Sequence, residues 1–342
     1  MRRFAMLMVI GMTVVLLVGG AFTAPRALAQ RGLPLAIGYQ DTPDWLLFVA
    51  RDLKLFEKAG LAPTYVKFGA GPPMIAAMQN GSIDLASVGS VAFVLGLAQG
   101  LDWTMIGINP EGAYSQGLVA RKDSGIHTPA DLKGKRVGLF MGSTAQFGLM
   151  MMLRQHGIRA DQLTLLDMTA DQQLLALGNK TIDAAMVWEP WMLRMVHEAN
   201  GRIITTEGNI GIYTNVDAYT VQRQWLATHR ETAVRFLRAL LMANEVVQKD
   251  PAIAARIWAR TLGIKDAWAE TIYEDVPPPL IKEWTNSHYT YSLVKGSPLH
   301  RRLGFLATFM LQEKLISPPV DMSDIMDASV IAEVLKTWKG GR

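Results

Sequence analysis

The sequence predicts an α/β protein built from two Rossmann-like lobes and a C-terminal helical tail. Strand-like apolar runs alternate with helix-like segments over residues 34–90 and again over residues 136–189. This β-α-β-α-β order favours parallel sheets. One stretch, Asn80–Ser90, recurs as Asn179–Glu189 at an offset of 99 residues. At 342 residues the chain is also long enough for more than one core.

In the first unit, apolar residues recur at steps of three and four after Trp45, which is typical of an amphipathic helix. Gly60 ends this helix as a left-handed cap, and Pro72 lies in the loop that leads into the next one. A further strand follows the turn at Gly81-Ser82-Ile83-Asp84. The other predicted elements are strands at Pro34–Gln40, Pro63–Phe68 and Thr104–Ile108, and helices at Trp45–Lys58, Met74–Asn80 and Ala92–Gln99.

The second unit repeats this alternation, and the rest of the chain is mostly helical. Its helices begin at Gly142-Ser143-Thr144 and at Ala170, and its strands are Arg136–Phe140, Leu163–Asp167 and Thr181–Val187. The chain returns through Arg202–Thr206 and Ile212–Thr220, and the tail helices are Trp225–Lys249, Pro251–Thr261, Leu299–Glu313 and Ile325–Trp338.

This order predicts that one lobe is inserted into the other. Lobe 1 comprises residues 30–113 and 214–342, and lobe 2 comprises residues 114–213. The chain then crosses twice between the lobes, and two crossings form a hinge about which a bound ligand can drive closure. We expect the helical tail to pack on lobe 1.

Residues 1–29 have the organisation of a cleavable signal peptide. Arg2 and Arg3 precede an apolar core over Phe4–Val18, and Ala27-Leu28-Ala29 is a small-residue cleavage site. An uncleaved anchor is the alternative, but the apolar core is shorter than the roughly 20 residues of a membrane span. Cleavage removes three arginines and lowers the net charge from +4 to +1. The mature chain therefore gives no reason to expect a nucleic-acid partner.

The chain contains no cysteine. Disulfide bonds, thiolate metal sites and cysteine nucleophiles are therefore excluded. Lipid attachment through an N-terminal cysteine is excluded as well. We expect an exported protein of this kind in a bacterial periplasm, as a soluble protein rather than a lipoprotein.

Two helix openings are candidate anion sites. The segment Gly142-Ser143-Thr144-Ala145 brings backbone N–H groups, two hydroxyls and the positive end of a helix dipole to one place. The loop Gly69–Pro73 offers a second opening in the other lobe. Ordinary capping by Ser143 or Thr144 is the alternative. Both openings follow strands, where open α/β sheets bind ligands, and this favours a shared site.

The repeated stretch ends differently in its two copies, with Gly89-Ser90 in the first and Trp188-Glu189 in the second. Pro190 stops the second strand, so Trp188 and Glu189 lie at its carboxyl end. Glu189 needs a cationic partner, either an arginine or a ligand. Asp44 and Asp217 are further candidates for this role. The aromatic candidates for a ligand wall are Tyr39, Trp45, Trp188 and Trp191, and core packing is the alternative for each.

Motifs of known enzymes are missing from the sequence. The six histidines show no metal-site spacing such as His-Glu-x-x-His, and there is neither a Gly-x-Ser-x-Gly elbow nor a Walker loop. We therefore expect a binding protein without metal, cofactor or catalytic residues. Asp84 and Asp183, in the repeated turns, are interpreted as structural acids.

Several short motifs together resemble periplasmic substrate-binding proteins of ABC importers, in the group that serves taurine, alkanesulfonates and nitrate. The resemblance covers nearly all of the chain after the signal segment, and it is the combination that is specific. The motifs are Ile37–Gln40, Phe68–Pro72, Gly81–Asp84 with Val88–Ser90, Leu118–Arg121 with Ser124–Ile126, Asp131–Val137, Gly142–Thr144, and Ile182–Ala185 with Trp188–Pro190.

This resemblance implies the periplasmic binding protein fold and capture of a small organosulfonate between the lobes. It implies a membrane permease and its ATPase as partners, and we expect a monomer. Pro43-Asp44-Trp45 and Tyr114-Ser115 depart from the taurine-binding pattern, and this aromatic crowding favours a bulkier or less polar ligand. The ligand-binding candidates are Tyr39, Gln40, Asp44, Trp45, Gly71, Pro72, Gly89, Ser90, Tyr114, Ser143, Thr144, Gln146, Trp188, Glu189 and Asp217.

Other ligands and one other class of protein stay open at this point. The ligand alternatives are nitrate, a pyrimidine vitamin precursor and an aromatic carboxylate. A periplasmic lyase on the same fold is the enzymatic alternative. It would need an acid/base pair, for which Glu189 with Asp217 or Asp44 is the candidate.

Overall fold

The structure is a computed structural model that describes residues 32–109, 112–213 and 216–340. The predicted signal peptide at residues 1–29 lies outside these described residues. Within them, two five-stranded sheets are present, and two hydrophobic cores form around them. No helix in the described ranges is long and apolar enough to cross a membrane.

The strands of the two sheets are β1 (Leu33–Tyr39), β2 (Leu61–Lys67), β3 (Leu85–Gly89), β4 (Trp103–Asn109), β5 (Gln116–Arg121), β6 (Arg136–Leu139), β7 (Thr164–Asp167), β8 (Ala184–Trp188), β9 (Gly201–Thr206) and β10 (Asp217–Gln222). The sheet orders are β2-β1-β3-β10-β4 and β7-β6-β8-β5-β9. The first three strands of each sheet are parallel, and the fourth is antiparallel to both neighbours.

The prediction of parallel strands in the two repeated units, residues 34–90 and 136–189, is confirmed. The sheets are nevertheless mixed, because β5 and β10, which lie outside these units, run antiparallel to their neighbours. The reason is that neither strand belongs to a β-α-β crossover. β5 enters the second sheet directly after the chain leaves the first, and β10 enters the first sheet on the chain's return. A strand that follows such a connection can run in either direction.

The helices are α1 (Trp45–Asp52), α2 (Leu55–Lys58), α3 (Pro72–Gln79), α4 (Ser90–Ala98), α5 (Thr144–Gln155), α6 (Ala170–Gly178), α7 (Trp191–Glu198), α8 (Arg223–Thr228), α9 (Arg230–Lys249), α10 (Pro251–Leu262), α11 (Asp266–Asp275), α12 (Pro298–Gln312) and α13 (Ser329–Thr337). Two helices that the sequence predicts as continuous are broken. One breaks at Lys54, which has a left-handed backbone with a φ of 54°. The other breaks at His229.

The strand grouping supports the proposed two-lobe division. The chain leaves the first sheet after Asn109, enters the second at Gln116, and returns from Thr206 to Asp217. The lobe boundaries at residues 113/114 and 213/214 fall within these two connections and stay a prediction. The tail helices share the core of the first sheet, as predicted; Phe236, for example, packs on Tyr219 with ring centroids 5.2 Å apart.

The repeated turn has the same hydrogen bonds in both lobes. The Asp84 carboxylate accepts from the backbone N–H of Ala36 at 2.8 Å, and the Asp183 carboxylate accepts from that of Arg136 at 3.0 Å. Each aspartate therefore ties the start of β3 or β8 to the neighbouring strand, β1 or β6. This confirms the two aspartates as structural acids.

Candidate functional site

A cavity of about 20 Å³, here called the inner cavity, lies between the ends of strands from the two sheets. It is formed by residues of both sheets and of the loops and helices beside them, namely Gln40, Thr42, Gly71, Gly89, Ala92, Ser143, Thr144, Trp188 and Asp217. All of these except Thr42 and Ala92 are sequence-predicted site residues. A cavity of this size has room for about one water molecule.

The sheet topology brings the strand ends together at this cavity. Gly89 and Trp188 are the last residues of β3 and β8. Because β10 and β5 run antiparallel to these strands, their first residues lie at the same edges: Asp217 pairs with Gly89, and Gln116 pairs with Trp188. The carboxyl ends of the parallel strands thus meet across the lobes, as expected for a ligand site in open α/β sheets.

Three helices begin at the inner cavity. The residues that precede α3, α4 and α5 are Gly71, Gly89 and Ser143, and all three line the cavity. None of them caps its helix with a side chain. The first N–H groups of a helix have no partner within the helix, and the helix dipole adds positive potential. Here α5 has such N–H groups. In α4 the Ser90 N–H donates to the carbonyl of Val216 at 2.9 Å, and α3 begins with Pro72-Pro73, which have no N–H, so α3 contributes its dipole alone. This convergence is suited to an anion.

The hydroxyls of Ser143 and Thr144 do not cap α5, so the alternative interpretation of these residues is wrong. Ser143 donates to the carbonyl of Phe140 at 2.6 Å, and Thr144 donates to the side-chain oxygen of Gln116 at 2.7 Å. Gln116 in turn donates to the buried carboxylate of Glu207. This network fixes the side of the cavity that lobe 2 contributes.

Two buried acids lie on the lobe 1 side. Asp217 lines the cavity and accepts from the Thr42 hydroxyl at 3.2 Å. Burial raises the pKa of Asp217 to about 7, and the nearby Asp44 contributes to this rise. Burial likewise raises the pKa of Asp44 to about 6, against the lowering effect of hydrogen bonds from Tyr219, Ser87 and the backbone.

Asp44 is a structural residue in this arrangement. Its carboxylate caps α1 by accepting from the Leu47 N–H at 3.2 Å, and it also accepts from the hydroxyls of Ser87 and Tyr219. It does not line the inner cavity. Of the three acids that are ligand-binding candidates, Asp44, Glu189 and Asp217, Asp217 lines the inner cavity.

Glu189 does not line the inner cavity either. Its carboxylate accepts from the Leu193 N–H at 3.1 Å, in the first turn of α7. Burial raises the pKa of Glu189 to about 8, the hydrogen bond from Leu193 lowers it, and Asp275 raises it. The structure thus gives this residue a backbone partner, and a role toward a ligand stays a prediction.

Two aromatic candidates lie in the lobe 1 core. Trp45 is buried, donates its indole N–H to the carbonyl of Val276 at 2.6 Å, and packs on Trp258. Tyr39 packs edge-on against Phe48. Core packing, the alternative interpretation, therefore describes both residues.

The remaining candidates surround the site without lining the cavity. Ser90 has a fully buried hydroxyl with no hydrogen-bond partner among the described residues. Gln146 accepts from the Gly142 N–H at 2.7 Å, and Pro72 lies close to the same glycine. Tyr114 is exposed and packs against Gly208, in the connections between the sheets.

A larger opening, here called the outer cleft, adjoins the inner cavity and has a volume of about 430 Å³. The two share Gln40 and Trp188 as lining residues. The outer cleft is further lined by Asp41, Lys67, Phe68, Gly69, Ala170, Asp171, Pro190, Trp191, Arg194, Thr261, Leu262 and Ile264. Of these, Phe68, Gly69 and Pro190 belong to the motifs that carry the resemblance, Ala170 is a predicted helix start, and Trp191 is an aromatic candidate.

Comparison with known proteins assigns the family. The family description "NMT1/THI5 like" matches residues 45–254, which is more than half of the chain. The chain belongs to the NMT1/THI5-like family. This NMT1/THI5-like chain is 24% identical over 287 residues to a Bacillus subtilis (strain 168) protein named for binding aliphatic sulfonates, covering 84% of this chain and 82% of that protein. It is 23% identical to the taurine-binding periplasmic protein of Escherichia coli (strain K12), covering 70% and 73%.

Solved structures show the same fold. The alkanesulfonate-binding protein SsuA from Xanthomonas axonopodis pv. citri, bound to MOPS, matches with a TM-score of 0.73 at 23% identity, over 85% of this chain and 96% of that one. A mutant of DSZB in complex with biphenyl-2-sulfinic acid matches with a TM-score of 0.67 at 16% identity, over 89% and 99%. The predicted fold and the predicted resemblance are thus confirmed for this NMT1/THI5-like protein.

Proposed function

We propose that this chain is the solute-binding component of a bacterial ABC importer and that it captures a small organosulfonate between its lobes. The names of its relatives support the importer class and the sulfonate ligand. The structural observation that carries the proposal is the convergence of three helix starts on the inner cavity. A sulfonate has three oxygens that can accept from backbone N–H groups at the starts of α4 and α5, while α3, which begins with Pro72-Pro73, adds the positive end of its dipole.

The charge of the inner cavity favours a monovalent anion. Neither lysine nor arginine is among the described residues that line it, and one acid, Asp217, is. The positive potential therefore comes from helix ends, each equivalent to about half a charge. That suits a sulfonate better than a phosphate dianion, which needs more compensating charge.

The size of the inner cavity implies that lobe movement accompanies binding. A sulfonate group is several times larger than the water molecule that 20 Å³ can hold. The lobes must therefore part to admit it, and the ligand then bridges donors on both sides. Ligand contacts with both lobes favour the closed arrangement over the open one. A micromolar affinity corresponds to about 8 kcal/mol.

The proposal includes the cell compartment and partners. Residues 1–29 direct export to the periplasm and are removed. The mature protein has no lipid anchor and acts as a monomer. It delivers its ligand to a permease that an ATPase drives. The support for this part is the organisation of the signal segment and the periplasmic relatives.

A lyase is the second candidate function. The observation that favours it is Asp217, a buried acid whose raised pKa is suited to proton transfer and which faces the cavity. The fold is shared with DSZB, described as a desulfurization enzyme. Chemistry that requires a cysteine thiolate is excluded here, because the chain has no cysteine.

Calorimetry on the mature protein tests the proposal. Ethanesulfonate, taurine, benzenesulfonate, nitrate and benzoate are titrated separately. We expect at least one sulfonate to bind with micromolar affinity or better, and more tightly than nitrate and benzoate. Absence of binding by every sulfonate would overturn the ligand class. Chromatography monitors the ligand over time. Release of sulfite, or consumption of the ligand over repeated turnovers, would support the lyase instead.

A further inference from the structure

The outer cleft is large enough to hold a substantial part of a ligand. Its volume of about 430 Å³ compares with a cavity of about 150 Å³ that suffices for benzene. It lies beside the inner cavity, with Gln40 and Trp188 lining both. A ligand that is anchored by an anionic head in the inner cavity would therefore direct the rest of its structure into the outer cleft.

Apolar side chains of both lobes line the outer cleft. Lobe 1 contributes Phe68 and, at and beyond the end of α10, Leu262 and Ile264. Lobe 2 contributes Trp191 at the start of α7, near Trp188. Arg194 lies over the ring of Trp191, 4.9 Å from its centroid. Such a contact holds the indole in place, so the ring is already positioned for a partner.

The cations of the outer cleft are already paired with acids. Lys67 contacts Asp41 at 2.5 Å, and Arg194 contacts Glu198 at 3.1 Å, one helical turn along α7. The charged residues that line the cleft, Asp41, Asp171, Lys67 and Arg194, therefore carry no net charge together. A second anionic group on the ligand would have to compete with Asp41 or Glu198, whereas an uncharged group would not.

We propose that the outer cleft is a subsite for an uncharged aromatic or apolar tail of the ligand, with Trp191, Leu262 and Ile264 as its specificity-determining residues. The inference rests on the proposed function, since the sulfonate head must occupy the inner cavity. It narrows the ligand class to sulfonates with a bulky tail, such as arylalkyl sulfonates.

The test compares two sulfonates that share a head and differ in the tail, ethanesulfonate and 2-phenylethanesulfonate, by calorimetry on the mature protein. We expect the phenyl compound to bind wild type about tenfold or more tightly. Trp191→Ala is expected to weaken the phenyl compound about tenfold and ethanesulfonate less than about twofold. Trp225→Ala removes a half-buried indole that stacks on His229 and lines neither cavity, and it is the matched control.

Ile264→Ser provides a second variant on the opposite wall, in case Trp191→Ala does not fold. It is expected to weaken only the phenyl compound as well. Equal affinities of the two sulfonates for wild type, or equal losses for both in Trp191→Ala and Ile264→Ser, would overturn the subsite while leaving the proposed function intact. Binding of neither sulfonate to wild type would overturn both.

Discussion

The edges of the two sheets that meet at the inner cavity have the same construction but different chemistry. In lobe 1, Gly89 at the end of β3 pairs with Asp217 at the start of β10, and the Thr42 hydroxyl donates to Asp217. In lobe 2, Trp188 at the end of β8 pairs with Gln116 at the start of β5, and the Thr144 hydroxyl donates to Gln116.

Under the proposed function, the difference between these edges is what sets ligand specificity. The turns that position β3 and β8 keep the same aspartate and the same backbone hydrogen bond. The residues that those turns position differ: a glycine and an acid on one edge, an indole and an amide on the other. The backbone construction is thus the same in both lobes, whereas the side chains at the two edges differ. Variants that give one edge a side chain of the other edge therefore test the site separately from the fold.

The largest expected effect comes from Asp217→Asn, which gives lobe 1 the amide that lobe 2 has. Burial raises the pKa of Asp217 to about 7, against about 4 for an unfolded chain. The neutral carboxyl is therefore favoured in the folded state, and its stability contribution is present below about pH 4 and lost as pH rises to about 7. At about pH 8 the variant should be more stable than wild type by on the order of 3 kcal/mol, measured by urea unfolding.

The same variant separates ligand classes through the pH dependence of binding. Ionised Asp217 repels a sulfonate, so ethanesulfonate should bind wild type more tightly at about pH 5.5 than at about pH 8. Ionised Asp217 attracts the ammonium of taurine, so the affinity for taurine should fall less between these two pH values. In Asp217→Asn both trends should vanish. A pH dependence of ethanesulfonate binding that persists in the variant would assign the effect to another group. Unfolding free energies that change equally with pH in both proteins would contradict the raised pKa.

The next effect compares the two turn aspartates. Asp183 accepts from the Arg136 guanidinium at 2.8 Å as well as from its backbone, and the guanidinium holds the pKa of Asp183 well below its usual range. Asp84 accepts from a backbone N–H alone among the hydrogen bonds of the described residues. We expect Asp183→Ala to cost about 2–3 kcal/mol of unfolding free energy and Asp84→Ala about 1 kcal/mol. If urea unfolding gives equal losses of unfolding free energy for the two variants, the Arg136 guanidinium does not contribute to stability.

The sequence predicts this construction well because its signals are local. The Asp84 and Asp183 turns recur with their flanking apolar runs, and seven of the nine residues that line the inner cavity are candidates named from strand ends, helix starts, unpaired acids or the family resemblance. Trp45 is a candidate for a ligand wall by sequence, with core packing as the alternative, and the indole packs in the core against Trp258. Its direction depends on α10, more than 200 residues away in the chain, which no local pattern encodes.

The lobe 1 wall of the outer cleft could not be predicted from the sequence for the same reason. Leu262 and Ile264 lie at and just after the end of α10 in the helical tail, and nothing in their neighbourhood marks them as site residues. They reach the cleft only because the tail packs on lobe 1. For Glu189 the position is predictable and the contact is not. The sequence predicts that it lies at the end of β8, but not that its carboxylate accepts from the Leu193 N–H in the first turn of α7.

A smaller effect is expected from Gly89→Ala, which adds one methyl group to the lobe 1 edge. A Cβ atom at Gly89 would lie 3.0 Å from Thr144 Cγ2 and 3.2 Å from Asp217 Oδ1, so it would fill the space between the lobes. The backbone φ of −66° accepts alanine. We expect sulfonate affinity to fall about tenfold by calorimetry.

Gly304→Ala is the matched control, because a Cβ there meets no atom within 4 Å in helix α12. This substitution should leave affinity unchanged and add about 0.5–1 kcal/mol of stability. An unchanged affinity in Gly89→Ala would mean that the ligand does not pass between Gly89 and Thr144. The anionic head would then have to be placed in the outer cleft.

The smallest effect is expected from Glu189→Gln at the lobe 2 edge. From the sequence, this change should weaken an amino-sulfonate far more than a plain alkanesulfonate. The structure predicts otherwise, because the carboxylate accepts from the Leu193 N–H and does not line the inner cavity. Glutamine keeps an oxygen for this bond, so taurine and ethanesulfonate should each lose less than about twofold in affinity. If only taurine loses affinity, Glu189 contacts the ligand. The ammonium of taurine would then bind to Glu189 of lobe 2 rather than to Asp217 of lobe 1.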